Sequence, residues 1–179
     1  MSTEIVHPPK TIMEVYKSLP EGTLAELIDN VIVMSPSPLS RHQLICNRIN
    51  NRIFNYLEQS ETRGEVFTAP MDVYLDQDSN AVQPDIIVIL DKNLEIIDLD
   101  GHIHGVPDIL VEVLSPGNKN HDLITKKALY ARFRVKEYWI IDPEDKLAIG
   151  YTLEDQAYSE FHRASGTLES ELLDHTFKF

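Results

Sequence analysis

Asp85, Glu112 and Lys126 are the residues of this 179-residue sequence whose types and positions could carry out hydrolysis. Asp85 opens the apolar run Pro84–Leu90, and Glu112 is the one charged residue inside Ile109–Leu114. A carboxylate within a buried strand is expensive unless it is paired or binds a metal. Two carboxylates carried into one corner of a sheet repel each other unless a divalent cation sits between them. The backbone carbonyl of Val113 is placed to complete an oxygen-rich shell. Mg²⁺ or Mn²⁺ suits such a donor set, and either could activate a water molecule. The competing reading makes Asp85 a strand-entry residue and pairs Glu112 with an arginine or lysine. An acid, 27 residues and a second acid do not by themselves decide between the two.

Lys126 shares a helix side with Asp122 and Tyr130 at four-residue spacing. It could orient a metal-bound water or steady negative charge on a transferring phosphate. Alternatively, Asp122 and Lys126 form a surface ion pair worth a few tenths of a kcal/mol. His42 lies three residues before Ile45 and seven before Ile49, on the inward stripe of its helix. It is either a hydrogen-bonded core residue or a proton carrier. The single cysteine, Cys46, reads as a small helix hydrophobe. His102 and His104 beside Asp100 are a weak soft-metal pattern without further spaced ligands.

The elements that must position these residues form one α/β domain over 1–179, with residues 1–10 as a loose tail. A short helix is expected over Thr11–Leu19, with Ile12, Val15, Tyr16 and Leu19 on one face. The strands Leu24–Ile28 and Val31–Ser35 flank the hairpin pair Asp29-Asn30. Ser37 is placed to cap a long helix, with Pro38 at its first position, running to about Gln59. Its apolar face comprises Ile45, Ile49, Ile53 and Leu57, and less squarely Leu44 and Tyr56. Strands Glu65–Ala69 and Met71–Leu75 precede the polar turn at 76–80. The strand at 84–90 is followed by a surface excursion over 91–107, then by the strand carrying Glu112. Ser115-Pro116-Gly117 reads as a turn into a helix over about 121–134. Val135–Ile141 is a third apolar strand, and Leu147–Thr152 with Tyr158–Arg163 continue antiparallel.

Composition narrows the field. The formal charge of −13, from 29 acidic and 16 basic side chains, is the wrong sign for a protein whose whole surface grips phosphates. A local basic patch or a bound cation could reverse that field. No Gly-x-Gly-x-x-Gly or Walker loop supports a nucleotide cofactor, and Ser115 is not in a Gly-x-Ser-x-Gly elbow. No membrane span and no secretory leader are expected, and one cysteine excludes an internal disulfide framework. A cytoplasmic location is the expectation.

Four ordered motifs carry a resemblance over roughly residues 11 to 152. They are Pro84-Asp85 before an apolar strand; Pro107-Asp108-Ile109-Leu110-Val111-Glu112-Val113-Leu114-Ser115-Pro116; Asp122-x-x-x-Lys126-x-x-x-Tyr130; and Glu137-Tyr138-Trp139-Ile140-Ile141-Asp142-Pro143. With Glu26-Leu27-Ile28-Asp29, Met34-Ser35-Pro36 and His42, this pattern resembles the Uma family of restriction endonuclease-like proteins, within the PD-(D/E)xK nuclease superfamily. The resemblance implies a restriction-endonuclease-like core, with a mixed central sheet flanked by helices and an added N-terminal hairpin. It implies Asp85 and Glu112 as metal-binding acids and Lys126 as the catalytic lysine. In the wider superfamily that lysine stands two residues after the glutamate, where this chain has Leu114. His42, Asp72 and Tyr130 are implied as accessory residues. Asn30 and Arg134 stand where the family usually has glycine, and both positions accept a left-handed residue.

Two functions follow as expectations. The first is an Mg²⁺- or Mn²⁺-dependent endonuclease acting on nucleic acid, most simply DNA, as a homodimer because cleaving two strands favours two sites. The second is a catalytically inactive nuclease-fold module that binds a partner.

Overall fold

The two apolar runs that carry the acids lie side by side at the centre of the protein. This is seen in a computed structural model that describes residues 8–99, 101–115 and 121–179. The expected tail therefore lies largely outside the described residues, as do Asp100 and the Pro116-Gly117 part of the expected turn.

Strands β1 (Ala25–Ile28) and β2 (Val31–Met34) form the expected hairpin. Asp29 and Asn30 both adopt positive φ, 49° and 64°, as a two-residue mirror-image turn requires. Ahead of it, helix α1 (Ile12–Lys17) is closed by a capping box between Thr11 and Glu14. Its buried residues are Met13 and Tyr16, so the inward face is turned by a residue from the expected one. Helix α2 (Ser40–Gln59) buries His42, Ile45, Cys46, Ile49, Ile53 and Leu57, while Leu44 is half exposed. It begins at Ser40, because Leu39 keeps an extended backbone at φ −78° and ψ 159°; Ser37 does not cap it.

Next come β3 (Gly64–Thr68), β4 (Val73–Tyr74), β5 (Ala81–Val82), β6 (Ile86–Leu90), β7 (Ile103–His104) and β8 (Ile109–Val113). The expected excursion over 91–107 contains a 3₁₀ turn at Asp91–Ile96 as well as β7. The helix after the turn starts as a π-helical segment, His121–Lys126, and continues as α3 (Lys127–Arg132). Arg134 takes φ 65° just beyond it. Strands β9 (Glu137–Ile141), β10 (Leu147–Glu154) and β11 (Ala157–Ser165) follow, and β12 (Thr167–Ser170) pairs with β13 (His175–Lys178).

The central sheet is mixed, in the order β11-β10-β9-β8-β6-β3, with β8 and β9 parallel and the other neighbours antiparallel. One face packs Ile86, Val88, Val111 and Val113 against the apolar stripe of α2. The other packs Ile87, Ile89, Leu110 and Tyr138 against Leu129 and Tyr130 of α3. The N-terminal hairpin belongs to a second five-stranded sheet, β2-β1-β5-β4-β7, which adds to the expected hairpin three strands of two residues each. Strands that short show no alternation in sequence. Among the described residues no helix is long and apolar enough to cross a membrane.

Gly150 marks the tightest packing in the sheet. It lies in register with Trp139, and a Cβ there would stand 2.6 Å from the fully buried indole. Gly150→Ala is expected to cost about 1–3 kcal/mol through overpacking, read as a lower urea midpoint with an unchanged slope.

Candidate active site

Strand register brings the two acids together. The β6–β8 ladder pairs Ile86 with Val111 and Ile87 with Leu110. Asp85 immediately precedes Ile86 and Glu112 immediately follows Val111, so the ladder brings both acids to the same end of the paired strands. Both acids border a cavity of about 180 Å³, together with Glu26, His42, Asp122 and Lys126.

Each acid is held from behind. Asp85 Oδ2 accepts the backbone N–H of Val113 at 2.8 Å and lies 3.0 Å from His42 Nε2, which α2 delivers from the opposite face of the sheet. Burial opposes charging of His42, but the Asp85 hydrogen bond and charge, with a backbone hydrogen bond at Val113, outweigh it and raise its pKa. Glu112 Oε1 accepts from Lys126 Nζ at 2.9 Å and from the Tyr130 hydroxyl at 2.7 Å. One oxygen of each acid is thus committed to fixed donors.

Lys126 is not at the surface. Both it and Asp122 are buried, which overturns the exposed-pair reading. Its ammonium lies 2.9 Å from Glu112 Oε1, 2.9 Å from Glu26 Oε1 and 3.7 Å from Asp122 Oδ1. Burial disfavours its charge, but the three carboxylates more than offset this and raise its pKa well above the ordinary lysine value. The π-helical start of the helix coincides with this cluster, as such distortions often do at functional sites.

Glu26 belongs to the motif Glu26-Leu27-Ile28-Asp29, for which the resemblance implies no role. It is the second residue of the fully buried Ala25–Ile28, and its Oε1 also accepts the Gln83 backbone N–H at 2.9 Å. Burial pushes its pKa up, but Lys126, His121 and the Gln83 amide together hold it below the ordinary carboxylate value. The signal was the one that drew attention to Glu112: a carboxylate inside an apolar strand. Asp72 is placed elsewhere. It accepts from the Tyr16 hydroxyl at 2.7 Å and from Gln83 Nε2 at 2.9 Å, and is not among the residues that border the cavity. Gln83 links the two networks, through its side chain to Asp72 and its backbone to Glu26.

Four carboxylates therefore share a small space with one lysine. The excess negative charge falls on Glu112 and Asp122, whose pKa values are raised first by burial and then by their acidic neighbours, against the pull of Lys126. An oxygen-rich donor set with unbalanced negative charge fits a hard divalent cation. His42, Cys46 and Asp85 also offer ligand atoms within 4.8 Å of one another. Burial pushes the Cys46 thiol well above its ordinary pKa, which withholds the thiolate that a soft metal needs. That trio is better described as a hydrogen-bonded support for Asp85. Accordingly, Cys46 in the native protein is expected to react with a thiol-specific disulfide reagent at least tenfold more slowly than after unfolding in urea.

His102 and His104 stay apart from this site: His104 stacks on Tyr74 at 4.7 Å and lies 3.3 Å from Asp98.

Comparison with known proteins agrees with this architecture. A crystal structure from Anabaena variabilis, described as a putative nuclease belonging to DUF820, superposes with a TM-score of 0.72. It shares 20% identity, covering 93% of this chain and 92% of that one, a likeness of fold. A search of curated proteins gives no match. A family model described as "Putative restriction endonuclease" matches residues 13–177. That match takes in nearly the whole sequence, and the chain belongs to the Uma2 family.

Proposed function

We propose that this protein is a divalent-metal-dependent endonuclease of the PD-(D/E)xK type, hydrolysing phosphodiester bonds in DNA. The observation that carries the reading is that Asp85 and Glu112, at the same end of two paired strands, border one cavity with Lys126. Asp85 and Glu112, with the Val113 carbonyl, would hold Mg²⁺ or Mn²⁺, which supplies Lewis acidity at the scissile phosphate. His42 and the Val113 N–H fix the angle of Asp85, and Tyr130 and Lys126 fix that of Glu112. Lys126 keeps its charge and would steady the negative charge that builds on a transferring phosphate. Glu26 and Asp122 keep that ammonium charged and in place.

The test is cleavage of supercoiled plasmid, linear duplex, single-stranded DNA and RNA with Mg²⁺, Mn²⁺ or EDTA, using Asp85→Ala as the control. Metal-dependent cleavage of DNA that disappears in that variant is the expected result. Two copies acting on two strands should also give a dimeric mass by light scattering.

One observation favours a second reading, a nuclease-fold module without catalysis. Lys126 is held by three carboxylates, and the position two residues after Glu112 is the buried Leu114. Absence of cleavage on every substrate, together with retained metal binding, would select it.

A further inference from the structure

The chain carries 29 acidic residues, yet none lies between Asp29 and Glu58. Most of that stretch is α2, whose outward face carries Arg41, Arg48 and Arg52, all exposed. At 100° per residue the three fall within about 40° of arc, and they span about 16 Å along the helix. They form one stripe, flanked by the exposed Asn47, Asn51 and Asn55.

Among the described residues this stripe has no ion-pair support. Among the described residues, Arg132 pairs with Asp29 and Arg163 with Glu160, but none of the three α2 arginines takes part in a salt bridge. Arg48 and Arg52 are like charges at four-residue spacing, which mildly destabilises a helix. Arg41 stands in the first turn, where the helix dipole favours acids and where α2 has none. Local rules are broken twice on one face with no compensating ion pair among the described residues, which suits an anion supplied from outside.

The position of the stripe says what the anion serves. Arg41 precedes His42, which contacts Asp85. Arg41 borders a groove of about 350 Å³ that shares His42 and Ser115 with the acidic cavity, with Asp142 and Glu144 on its rim. At the other end Arg52 borders a groove with Tyr56, His175 and Lys178. The stripe thus runs from the mouth of the candidate active site toward a second basic and aromatic surface.

We propose that the Arg41–Arg48–Arg52 stripe of α2 is the docking track for the phosphate backbone of a nucleic acid, directing the bound strand into the acidic cavity at His42. The proposal rests on the nuclease reading for its choice of polyanion. It resolves the charge paradox of that reading: a chain at −13 binds through a helix that holds no acid before Glu58. The stripe's length matches about five phosphates of one duplex strand, at 3.4 Å of axis per charge.

Binding is measured by fluorescence anisotropy of a labelled 24-base-pair duplex and its single strand, in EDTA so that no cleavage occurs, from 25 to 200 mM NaCl. The wild type is compared with Arg41→Gln/Arg48→Gln/Arg52→Gln and with the charge-matched control Lys10→Gln/Lys92→Gln/Arg163→Gln. All three are checked for thermal midpoint and mass. The stripe variant should bind duplex at least tenfold more weakly at 50 mM NaCl. The slope of its log affinity against log salt should shrink by between about two and three, while the control stays within threefold of wild type. Equal affinity in the stripe variant, an equal loss in the control, or no binding by wild type would each overturn the proposal. So would a change of oligomeric state confined to the stripe variant, which would assign the stripe to contact between copies. Wild type that cleaves DNA without needing the stripe sinks the track and spares the nuclease reading. Wild type that binds through the stripe but never cleaves does the reverse.

Discussion

Lys126→Met is expected to destabilise the protein by about 3–5 kcal/mol near neutral pH. Methionine fills a similar volume, so the loss is electrostatic. Glu26, Glu112 and Asp122 would stay buried without the ammonium that now lies 2.9, 2.9 and 3.7 Å from them. The sign of the pH dependence follows from the same charges. With the lysine gone, the buried carboxyls titrate above their unfolded values, so the folded state binds more protons than the unfolded one. Stability of the variant then falls as pH rises and recovers as pH drops toward the ordinary carboxylate range. Urea titrations at pH 5 and pH 8 should show a wider gap from wild type at pH 8. A gap of the same size at both would mean that the lysine's charge is not what balances the acids.

Mn²⁺ should bind the wild-type protein and raise its melting temperature, with affinity increasing with pH. Glu112 and Asp122 have raised pKa values, so at lower pH a cation must displace protons that at higher pH have already left. Calorimetric titration in buffers of different ionisation enthalpy would count the released protons. Glu112→Ala should weaken Mn²⁺ binding at least tenfold and abolish the thermal shift. The variant remains foldable for such a measurement, since Lys126 keeps Glu26 and Asp122; the main local cost is the Tyr130 hydroxyl left without its acceptor, about 1–3 kcal/mol. Matching affinities in the two proteins would remove Glu112 from the ligand set. EDTA should return the wild-type melting temperature to its metal-free value.

The parts of the site that were legible in sequence are those governed by short-range pattern. The strands bearing Asp85 and Glu112 announce themselves as apolar runs interrupted by one acid, and Ile45, Ile49, Ile53 and Leu57 set the inward face of α2. Asp29-Asn30 specifies its hairpin because both residues tolerate positive φ. What stayed hidden depends on long-range contact. Four-residue spacing makes Asp122–Lys126 look like a surface pair, since a helical rule cannot see the third acid arriving from β1, a hundred positions earlier. A π-helical turn and an α-helical one share the same apolar residues, so the distortion at His121–Lys126 left no separate trace. The resemblance implies Asp72 as an accessory residue, and only the tertiary fold shows that its hydrogen bonds go to Tyr16 and Gln83.

The antiparallel register of β6 and β8 also bears on how this site tolerates evolutionary change. Asp85 and Glu112 stand at one end of the two strands, and the segment joining them leaves from Leu90 and returns at Ile109, the opposite end. Lengthening that connection moves neither acid, because the ladder and not the tether brings them to one end of the sheet. Doubling a flexible loop costs only about 0.6 kcal/mol in closure entropy. The interval between the two acids is therefore free to drift among descendants, while the count of residues within each strand is not. A single insertion inside β8 would turn Glu112 to the other face of the sheet and dismantle the site at one stroke.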